Sequence, residues 1–383
     1  MRIAFLGSEG IPYPNAFAKI TEEIGARLVE RGHDVVVFGR RHLVPESSPY
    51  RGMLRVPVRS WNSKHLDTLS STFLSSLKLL SSGWADIAHF HGIGPAVLAG
   101  LPKLRGTRSV VHFHAQDWRR AKWGRLARKY LQMSEVAAIR LPDATVVVSN
   151  ELREYVERRY GRSVYYVPQG VDQPNRQAPS EILALGLKPQ EYLLFMGRLV
   201  PEKGLHHLME AYRRLSMQNG GRILPLVVAG GAAHTDEYVR SLRKTAPPEV
   251  SFLGHVTGRS KDELLSHAYA FVQPSELEGL SLGLLEAMSY GNAVLASDIP
   301  ENVEAAGSAA AYFRSRDVDD LVRRIGEFLD QPERVHELRE RAAARAASRH
   351  SWDVVTSEME NVYESVLRSA ESGRIRKRDG AAL

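Results

Sequence analysis

Short apolar runs recur along this chain, and each is followed by a segment whose apolar residues have helical spacing. The first series of runs consists of Ile3–Leu6, Val35–Phe38, Ile87–Phe90, Val110–Phe113 and Thr145–Val148. The helical patterns between them include Ala16–Gly32, Arg119–Arg140 and Asn150–Tyr160. Strands that alternate with helices in this way predict a parallel sheet covered by helices on both faces.

A second series of the same kind follows a polar, proline-bearing stretch, Asp172–Ser180, which is the best linker candidate. Its runs are Leu193–Met196, Leu226–Ala229, Val250–Leu253, Ala270–Gln273 and Ala293–Ala296. We therefore predict an α/β protein with two doubly wound, Rossmann-like domains, residues 1–175 and 176–350, and a cleft between them. Ligands of such sheets bind at the carboxyl ends of the strands, so residues that follow each strand are the candidates for chemistry.

Residues 351–383 form a third segment. Apolar residues at helical spacing predict one long helix over Ser351–Ser369; they are Trp352, Val355, Met359, Val362, Tyr363 and Val366. The remainder, Ser372–Leu383, is basic and rich in small residues, and we expect it to be disordered.

Composition excludes several classes of protein. The 383 residues contain no cysteine, which removes disulfides, thiolate metal sites and cysteine nucleophiles. The net charge of +7 favours anionic partners but is too small to indicate a nucleic-acid binder, and no recognition motif for nucleic acid accompanies it. No apolar stretch approaches the roughly 20 residues of a membrane span, and no export signal is visible. We expect a cytoplasmic protein.

The strongest motif runs from Glu278 to Glu286, after the strand Ala270–Gln273. Gly279 allows close approach of the backbone to a ligand, and the amides at the start of a helix over Leu282–Tyr290 favour an anion. Glu278 and Glu286 flank that anion site as acceptors for hydroxyl groups. A sugar diphosphate fits this combination, whereas Glu286 alone could equally be a solvated helix residue.

A second motif, Gly197–Gly204, follows the strand Leu193–Met196. Arg198 and Lys203 enclose its turn, and two cations at a strand's carboxyl end would neutralise a diphosphate leaving group. Either cation alone would be read as a surface residue.

Together these residues closely resemble the bacterial family 4 glycosyltransferases, which have the GT-B architecture. Three further segments carry the resemblance along the chain: Pro168–Asp172, Phe252–Val256 and Ser351–Asp353. The resemblance implies that Arg198 and Lys203 hold the donor's diphosphate, that Glu286 binds the ribose hydroxyls, and that Glu278 lies near the donor sugar. It also implies that the terminal helix packs back onto the first domain. The implied donor site further includes Gly197, His255, Val256, Gly279, Leu280, Ser281 and Leu282.

Four histidines follow or end two neighbouring strands: His89, His91, His112 and His114. A zinc site is one interpretation, but cysteine is absent and no helix supplies a matching histidine pair, so we favour core histidines bonded to backbone. His114 is the exception. Its segment, His114–Trp118, resembles the family's His-Gly-x-Asp-Trp segment, in which the histidine faces the donor sugar, with Ala115 in place of the glycine.

The loop Gly7–Lys19 resembles the family's glycine-rich loop that closes over donor and acceptor. Gly7 and Gly10 remain, but Ala16-Phe17-Ala18 stands where the family often has a glycine pair. The spacing of a dinucleotide-binding fingerprint is absent.

A basic segment with interleaved aromatic residues follows His114. Its default interpretation is a solvated helix face; the functional one is a site for an anionic acceptor or a membrane surface. The pattern resembles bacterial polysaccharide glycosyltransferases, including rhamnosyltransferases that act on lipid-linked acceptors. The candidate residues are Asp117, Trp118, Arg119, Arg120, Lys122 and Trp123.

We predict a retaining glycosyltransferase that uses a nucleotide sugar, needs neither cofactor nor metal, and acts on a glycan or lipid-linked acceptor. A peripheral position at the inner face of the membrane is included in this prediction. Two alternatives remain open at this point: a nucleotide-sugar epimerase or phosphorylase on the same fold, and a non-catalytic protein that binds sugar nucleotides.

Overall fold

The computed structural model describes residues 1–45, 47–63, 66–119, 123–218, 223–232 and 235–379, with side chains as far as residue 369. The chain divides into two compact units. The first comprises Met1–Gln169 and Trp352–Leu383, and the second comprises Gly170–Ser351. Each unit is a mainly parallel sheet with helices on both faces, as the alternating pattern predicts.

The first unit contains an eight-stranded sheet whose spatial order is β3-β4-β2-β1-β5-β6-β7-β8, parallel except for the β3–β4 pair. Its strands are β1 Arg2–Leu6, β2 Asp34–Arg40, β3 Pro49–Tyr50, β4 Met53–Val58, β5 Ile87–His91, β6 Arg108–Phe113, β7 Ala144–Val147 and β8 Tyr165–Tyr166. Its first four α-helices are α1 Ala16–Glu30, α2 Asp67–Ser82, α3 Arg125–Arg140 and α4 Asn150–Tyr160. Short 3₁₀ turns lie at Gly94–Leu98, Pro102–Arg105 and Asp117–Arg119.

The last helix, Trp352–Asp379, packs on the face of this first sheet. All six apolar residues of its predicted stripe are buried, in one cluster with Ile3, Phe5 and Val37. Polar contacts fasten the same helix to α1 and the residues after it: Arg27 pairs with Asp353 at 3.0 Å, and Arg31 pairs with Glu360 at 2.8 Å. The helix therefore belongs to the first unit, as the resemblance implied. Its assigned bounds continue to Asp379, beyond the predicted end at Ser369.

The second unit contains a six-stranded, fully parallel sheet in the order β11-β10-β9-β12-β13-β14. Its strands are β9 Leu193–Met196, β10 Leu226–Ala229, β11 Val250–Gly254, β12 Ala270–Gln273, β13 Ala293–Ser297 and β14 Ala310–Phe313. Its helices are α5 Glu181–Ala184, α6 Leu205–Gln218, α7 Asp236–Thr245, α8 Gly258–His267, α9 Leu282–Ser289, α10 Pro300–Ala306, α11 Val318–Asp330 and α12 Pro332–Arg349; Trp352–Asp379 is α13. Two apolar clusters, one on each face of the sheet, fill its core.

Two boundaries differ from the sequence prediction. The expected linker, Asp172–Ser180, belongs to the second unit, because its backbone amides donate to the Tyr290 hydroxyl, the Ser266 hydroxyl and the Glu263 carboxylate. The helix expected from Arg119 begins at Arg125, after the extended residue Gly124. Among the described residues, no helix combines the length and apolar character that crossing a membrane requires.

Candidate active site

Two loops meet at the carboxyl edge of the second sheet, one after β9 and one after β12. The amide of Glu276 donates to the carbonyl of Glu202 at 2.9 Å. Gly204 has φ of +66°, and a Cβ atom there would lie 1.9 Å from the carbonyl oxygen of Pro274. Only glycine permits that contact, since a side chain would meet backbone that cannot retreat. The two loops are thereby held in direct backbone contact.

The loop after β10 is joined to the loop after β9 by a similar backbone contact. Gly197, the first residue after β9, donates its amide to the carbonyl of Ala229 at 3.0 Å. A Cβ atom at Gly230 would lie 1.8 Å from the Gly197 carbonyl oxygen. The loops after β9, β10 and β12 therefore form one closely packed edge, as expected where parallel strands end together.

This contact brings Lys203 to Glu278, two residues that the sequence analysis assigned to different motifs. The Lys203 ammonium lies 2.5 Å from Glu278 Oε1, with both side chains largely buried. The same oxygen accepts from Gln273 Nε2 at 2.8 Å and from the Ser275 hydroxyl at 2.7 Å. Gln273 also donates to Ser281 Oγ at 3.1 Å. We call Lys203, Gln273, Ser275, Glu278 and Ser281 the Lys203–Glu278 cluster.

The cluster ends at the first turn of α9. Ser281 is the N-cap residue of this helix, and its hydroxyl accepts from the Leu284 amide. The first backbone hydrogen bond of the helix runs from the Leu285 amide to the Ser281 carbonyl. The amides of Leu282 and Gly283 therefore lie before the first helical hydrogen bond. A helix start with such amides is an anion-binding position. Leu280 and Ser281 are buried, and Gly279 is half-buried.

Glu286 lies one turn further along α9 and pairs with Lys261 of α8 at 3.1 Å, both side chains being roughly three-tenths exposed. It is therefore neither a freely solvated residue nor a part of the Lys203–Glu278 cluster. Arg198 is exposed on the loop after β9, and His255 is exposed directly after β11. Val256 packs against the apolar cluster on one face of the sheet.

A second polar group lies beside the cluster. Glu276 accepts from His207 Nε2 at 2.8 Å and pairs with Arg316 at 2.8 Å, while His206 Nε2 lies 3.5 Å from it. Partial burial would raise the pKa of Glu276, but the His207 bond and the Arg316 charge outweigh it and hold the pKa below its usual value. The carboxylate is thus already engaged by Arg316 and His207.

In the first unit, the residues predicted around His114 gather at the ends of β1, β5 and β6. His114 is 6% exposed; its Nε2 lies 3.2 Å from His91 Nδ1, and its ring stacks 4.0 Å from that of His112. Gly7 has φ of +89°, and a Cβ atom there would lie 2.8 Å from the His91 carbonyl oxygen. Gly10, with φ of +102°, packs equally closely on Gly39.

Phe17 fills the place where the family often has a glycine pair. Its ring centroid lies 4.7 Å from that of His114 and 6.2 Å from that of His91. The sequence analysis had no signal for this contact, because an aromatic residue at the start of a helix is usually core. The backbone partners predicted for the core histidines are also wrong in two cases: His89 Nδ1 bonds the Tyr363 hydroxyl, and His91 bonds His114.

The basic segment divides into described and undescribed parts. Trp118 is half-buried and donates its indole N–H to the buried carboxylate of Glu135 at 2.6 Å. Arg119 is exposed and donates to Gln116, Asp117 opens the short turn, and Trp123 is half-buried. Arg120 and Lys122 lie outside the described residues.

Two family models match the chain. The model described as Glycosyltransferase Family 4 matches residues 18–173, and the model described as Glycosyl transferases group 1 matches residues 183–346. Together they account for most of both units.

Curated relatives carry glycosyl-transfer names. The O-antigen chain mannosyltransferase B of Escherichia coli is 32% identical over 180 residues, which are 46% of this chain and 46% of that protein. The MMP alpha-(1->4)-mannosyltransferase of Mycolicibacterium hassiacum is 26% identical over an alignment of 416 positions, covering 96% of this chain and 98% of that protein.

Solved structures share the fold. The sucrose-phosphate synthase of Thermosynechococcus elongatus superposes with a TM-score of 0.82 at 17% identity, covering 96% of this chain and 99% of that one. Anabaena HepE in complex with UDP-glucose superposes with a TM-score of 0.77 at 16% identity, covering 95% and 100%. At such low identity these structures establish the two-domain GT-B fold alone.

The close contact between Gly204 and Pro274 predicts the effect of adding a methyl group at Gly204. Gly204→Ala should destabilise the protein more than Gly186→Ala. Both glycines have positive φ, but a Cβ atom at Gly186 meets nothing within 4 Å. The shared backbone strain costs roughly 1 kcal/mol, and the clash with Pro274 adds to it only at Gly204. Denaturant unfolding of the two variants measures the difference. Equal losses of stability would contradict the contact.

Proposed function

The chain belongs to the family 4 glycosyltransferases and is itself a glycosyltransferase, and we propose that its donor is a nucleotide sugar bound by the second unit. The observation that carries the proposal is the Lys203–Glu278 cluster, which places an ammonium group, helix amides and hydroxyl acceptors at one sheet edge. The UDP-glucose complex of Anabaena HepE, a protein of the same fold, supports this class of donor.

The diphosphate of the donor would lie between Lys203, Arg198 and the first turn of α9. An ammonium group has three donors, so Lys203 is able to hold Glu278 and still donate to a phosphate oxygen. Arg198 adds an exposed guanidinium that grips phosphate oxygens in a bidentate manner. Glu286 is our candidate for the ribose hydroxyls, with Lys261 orienting its carboxylate.

Glu278 is our candidate for binding a hydroxyl of the donor sugar. One of its oxygens accepts hydrogen bonds from Lys203, Gln273 and Ser275, and these bonds fix the orientation of the carboxylate. The other oxygen is the candidate acceptor for a hydroxyl of the donor sugar. In the first unit, His114 is the residue that the family resemblance assigns to the donor sugar; His91 and Phe17 hold its ring, and Gly7 and Gly10 shape the loop next to it.

The proposed reaction breaks the bond between the anomeric carbon and the diphosphate oxygen, and the electron pair leaves with the diphosphate. An acceptor hydroxyl oxygen forms the new bond on the same face, so configuration is retained, and its proton passes to the departing diphosphate. Lys203, Arg198 and the α9 amides stabilise the charge that develops on the leaving group.

We further propose that this step needs no divalent ion. The positive charge that a metal supplies in other transferases comes here from side chains and from a helix start. The carboxylate beside the cluster, Glu276, is already paired with Arg316 and His207.

For the acceptor we propose a glycan or lipid-linked saccharide at an anionic membrane surface, with the protein at the inner face of that membrane. The mannosyltransferase of Escherichia coli, named for the O-antigen chain, supports a polysaccharide acceptor. Helix α3 carries the proposed surface: Arg125, Arg128 and Lys129 are exposed, and Leu126 and Met133 are 87% and 64% exposed beside them. Cations with apolar side chains on one helix face suit a lipid interface. Trp118 is not part of it, because Glu135 holds its indole.

Removing one leaving-group cation tests the donor site. Lys203→Gln and Arg198→Gln should each lower kcat by about 10²–10³-fold, because the departing diphosphate loses a preorganised positive charge. Sugar transfer from nucleotide sugars under saturating donor measures the loss. The control is Lys188→Gln, an exposed lysine of the same unit paired only at the surface with Glu191, which should keep wild-type turnover. Near-native turnover in both test variants would refute this site.

Metal independence has a direct test. Brief treatment with excess EDTA in an assay without added divalent ions should leave the initial rate of transfer unchanged. An absolute requirement for Mg²⁺ or Mn²⁺, restored only by adding the ion back, would overturn the proposal. Mild stimulation would not, since Mg²⁺ also binds free nucleotide product.

Charge removal on α3 tests the membrane surface. The triple variant Arg125→Gln, Arg128→Gln, Lys129→Gln should bind anionic vesicles about 10²-fold more weakly, at roughly 1 kcal/mol per cation, and its binding should depend less on salt. Donor affinity should not change. The matched control removes the same charge from α12 (Arg334, Arg341 and Arg349 to Gln), where all three arginines are exposed. Equal vesicle binding by the two triple variants would remove the membrane from the proposal.

A further inference from the structure

We propose that His89, His91 and His112 form a binding site for one transition-metal ion, with Zn²⁺ as the best match, inside the first unit. The site does not depend on the proposed donor site, although one of its members, His91, also contacts His114, the candidate for the donor sugar.

Strand pairing places the three rings together. β5 and β6 are parallel neighbours, and His91 is the register partner of His112. His89 precedes His91 by two residues and so lies on the same face of the sheet. The ring centroids are 4.6 Å apart for His89 and His91, 5.4 Å for His89 and His112, and 5.7 Å for His91 and His112.

The ligand atoms are close to coordinating distance. One ring nitrogen from each histidine lies within 4.8 Å of the other two. Tetrahedral zinc with metal–nitrogen bonds of 2.0–2.1 Å needs nitrogens about 3.3 Å apart. Binding of an ion would therefore require the three nitrogens to draw closer together than they are in this structure.

The nitrogens that would bind the ion are buried and unused. All three side chains are 0–1% exposed. Within the described part of the chain, His89 Nε2, His91 Nε2 and both nitrogens of His112 have no hydrogen-bond partner. Buried polar atoms are nearly always satisfied, so several orphaned nitrogens on three adjacent rings indicate a missing partner.

The second ring nitrogens of His89 and His91 are held in the manner of metal ligands. His89 Nδ1 lies 2.7 Å from the Tyr363 hydroxyl, and His91 Nδ1 lies 3.2 Å from His114 Nε2. A histidine that binds a metal usually donates its second ring N–H to an orienting group, which leaves the other nitrogen's lone pair for the ion. Both Nδ1 contacts leave Nε2 for that purpose.

Burial also favours the neutral form of the three rings. Burial lowers the pKa of His91 to about 3 and holds the pKa values of His89 and His112 well below the usual value, with neighbouring imidazoles adding to the effect for the latter two. Only neutral imidazole binds a metal.

The donor set selects the kind of ion. Three imidazole nitrogens suit Zn²⁺, Co²⁺, Ni²⁺ or Cu²⁺ and do not suit Mg²⁺ or Ca²⁺, which prefer oxygen. Water is the rival occupant, because ordered water also satisfies buried polar atoms. The second group of possible ligands, His206, His207 and Glu276, differs in being half-buried and already paired with Arg316.

The test measures metal directly. The full chain is expressed with Zn²⁺ in the medium, because so buried a site fills during folding, and is then dialysed and analysed for metal content. We expect one equivalent of zinc in the wild type and in the control His206→Gln, His207→Gln, and none in His112→Phe. Expression with Co²⁺ instead should give the visible absorption of tetrahedral cobalt.

A second variant keeps the proposal testable if His112→Phe does not fold. Tyr363→Phe preserves the packing but removes the group that orients His89, and should weaken zinc binding about 10–100-fold in a competition with a chromogenic chelator. A wild type without zinc or cobalt would overturn the proposal and leave water as the occupant. Zinc content equal in the wild type and a folded His112→Phe variant would overturn it as well.

Discussion

The proposed chemistry of the second unit depends on one backbone contact, the approach of Gly204 to the carbonyl of Pro274. It joins the loop that carries Lys203 to the loop that carries Glu278, and the amide of Glu276 reinforces it by donating to Glu202. Joined, the two loops bury an ion pair whose carboxylate is further fixed by Gln273 and Ser275. The charged groups are thus arranged before any ligand arrives, which is the condition for electrostatic stabilisation of a leaving group.

In the first unit, a layer of aromatic rings holds the candidate residues in place. Parallel pairing of β5 and β6 stacks the histidines, and Phe17 covers His91 and His114 from α1. The terminal helix completes the layer, because Tyr363 reaches His89 while its apolar neighbours cover the sheet. The helix that follows the second unit in sequence therefore helps to fix rings next to the candidate His114.

Sequence reasoning predicted the central strands and failed at the edges, for a physical reason. The strands at the middle of each sheet are apolar on both faces, so β9, β10 and β12 were predicted to the residue. The outer strands of the first sheet are short or interrupted: β3 and β8, at its two edges, have two residues each, and β4, next to β3, contains Arg55 and Pro57, of which proline normally argues against a strand. The end of the last helix was missed because its polar tail has no apolar stripe.

The same contrast holds in the site. The rule that ligand groups follow parallel strands found Arg198, Lys203 and Glu278, but it could not show that Lys203 and Glu278 pair. Gln273 was overlooked although it ends a predicted strand, where a buried polar residue is itself a signal. Lys261 and Phe17 gave no signal, since their contacts come from the packing of helices.

The central claim is that the Lys203–Glu278 cluster and the first turn of α9 hold the diphosphate of a nucleotide sugar. A crystal structure of the full chain with a nucleoside diphosphate tests it most directly. The account predicts phosphate oxygens within hydrogen-bond distance of Lys203 and the α9 amides, and ribose hydroxyls at Glu286. A diphosphate bound elsewhere on the chain, with Lys203 contacting only Glu278, would contradict it.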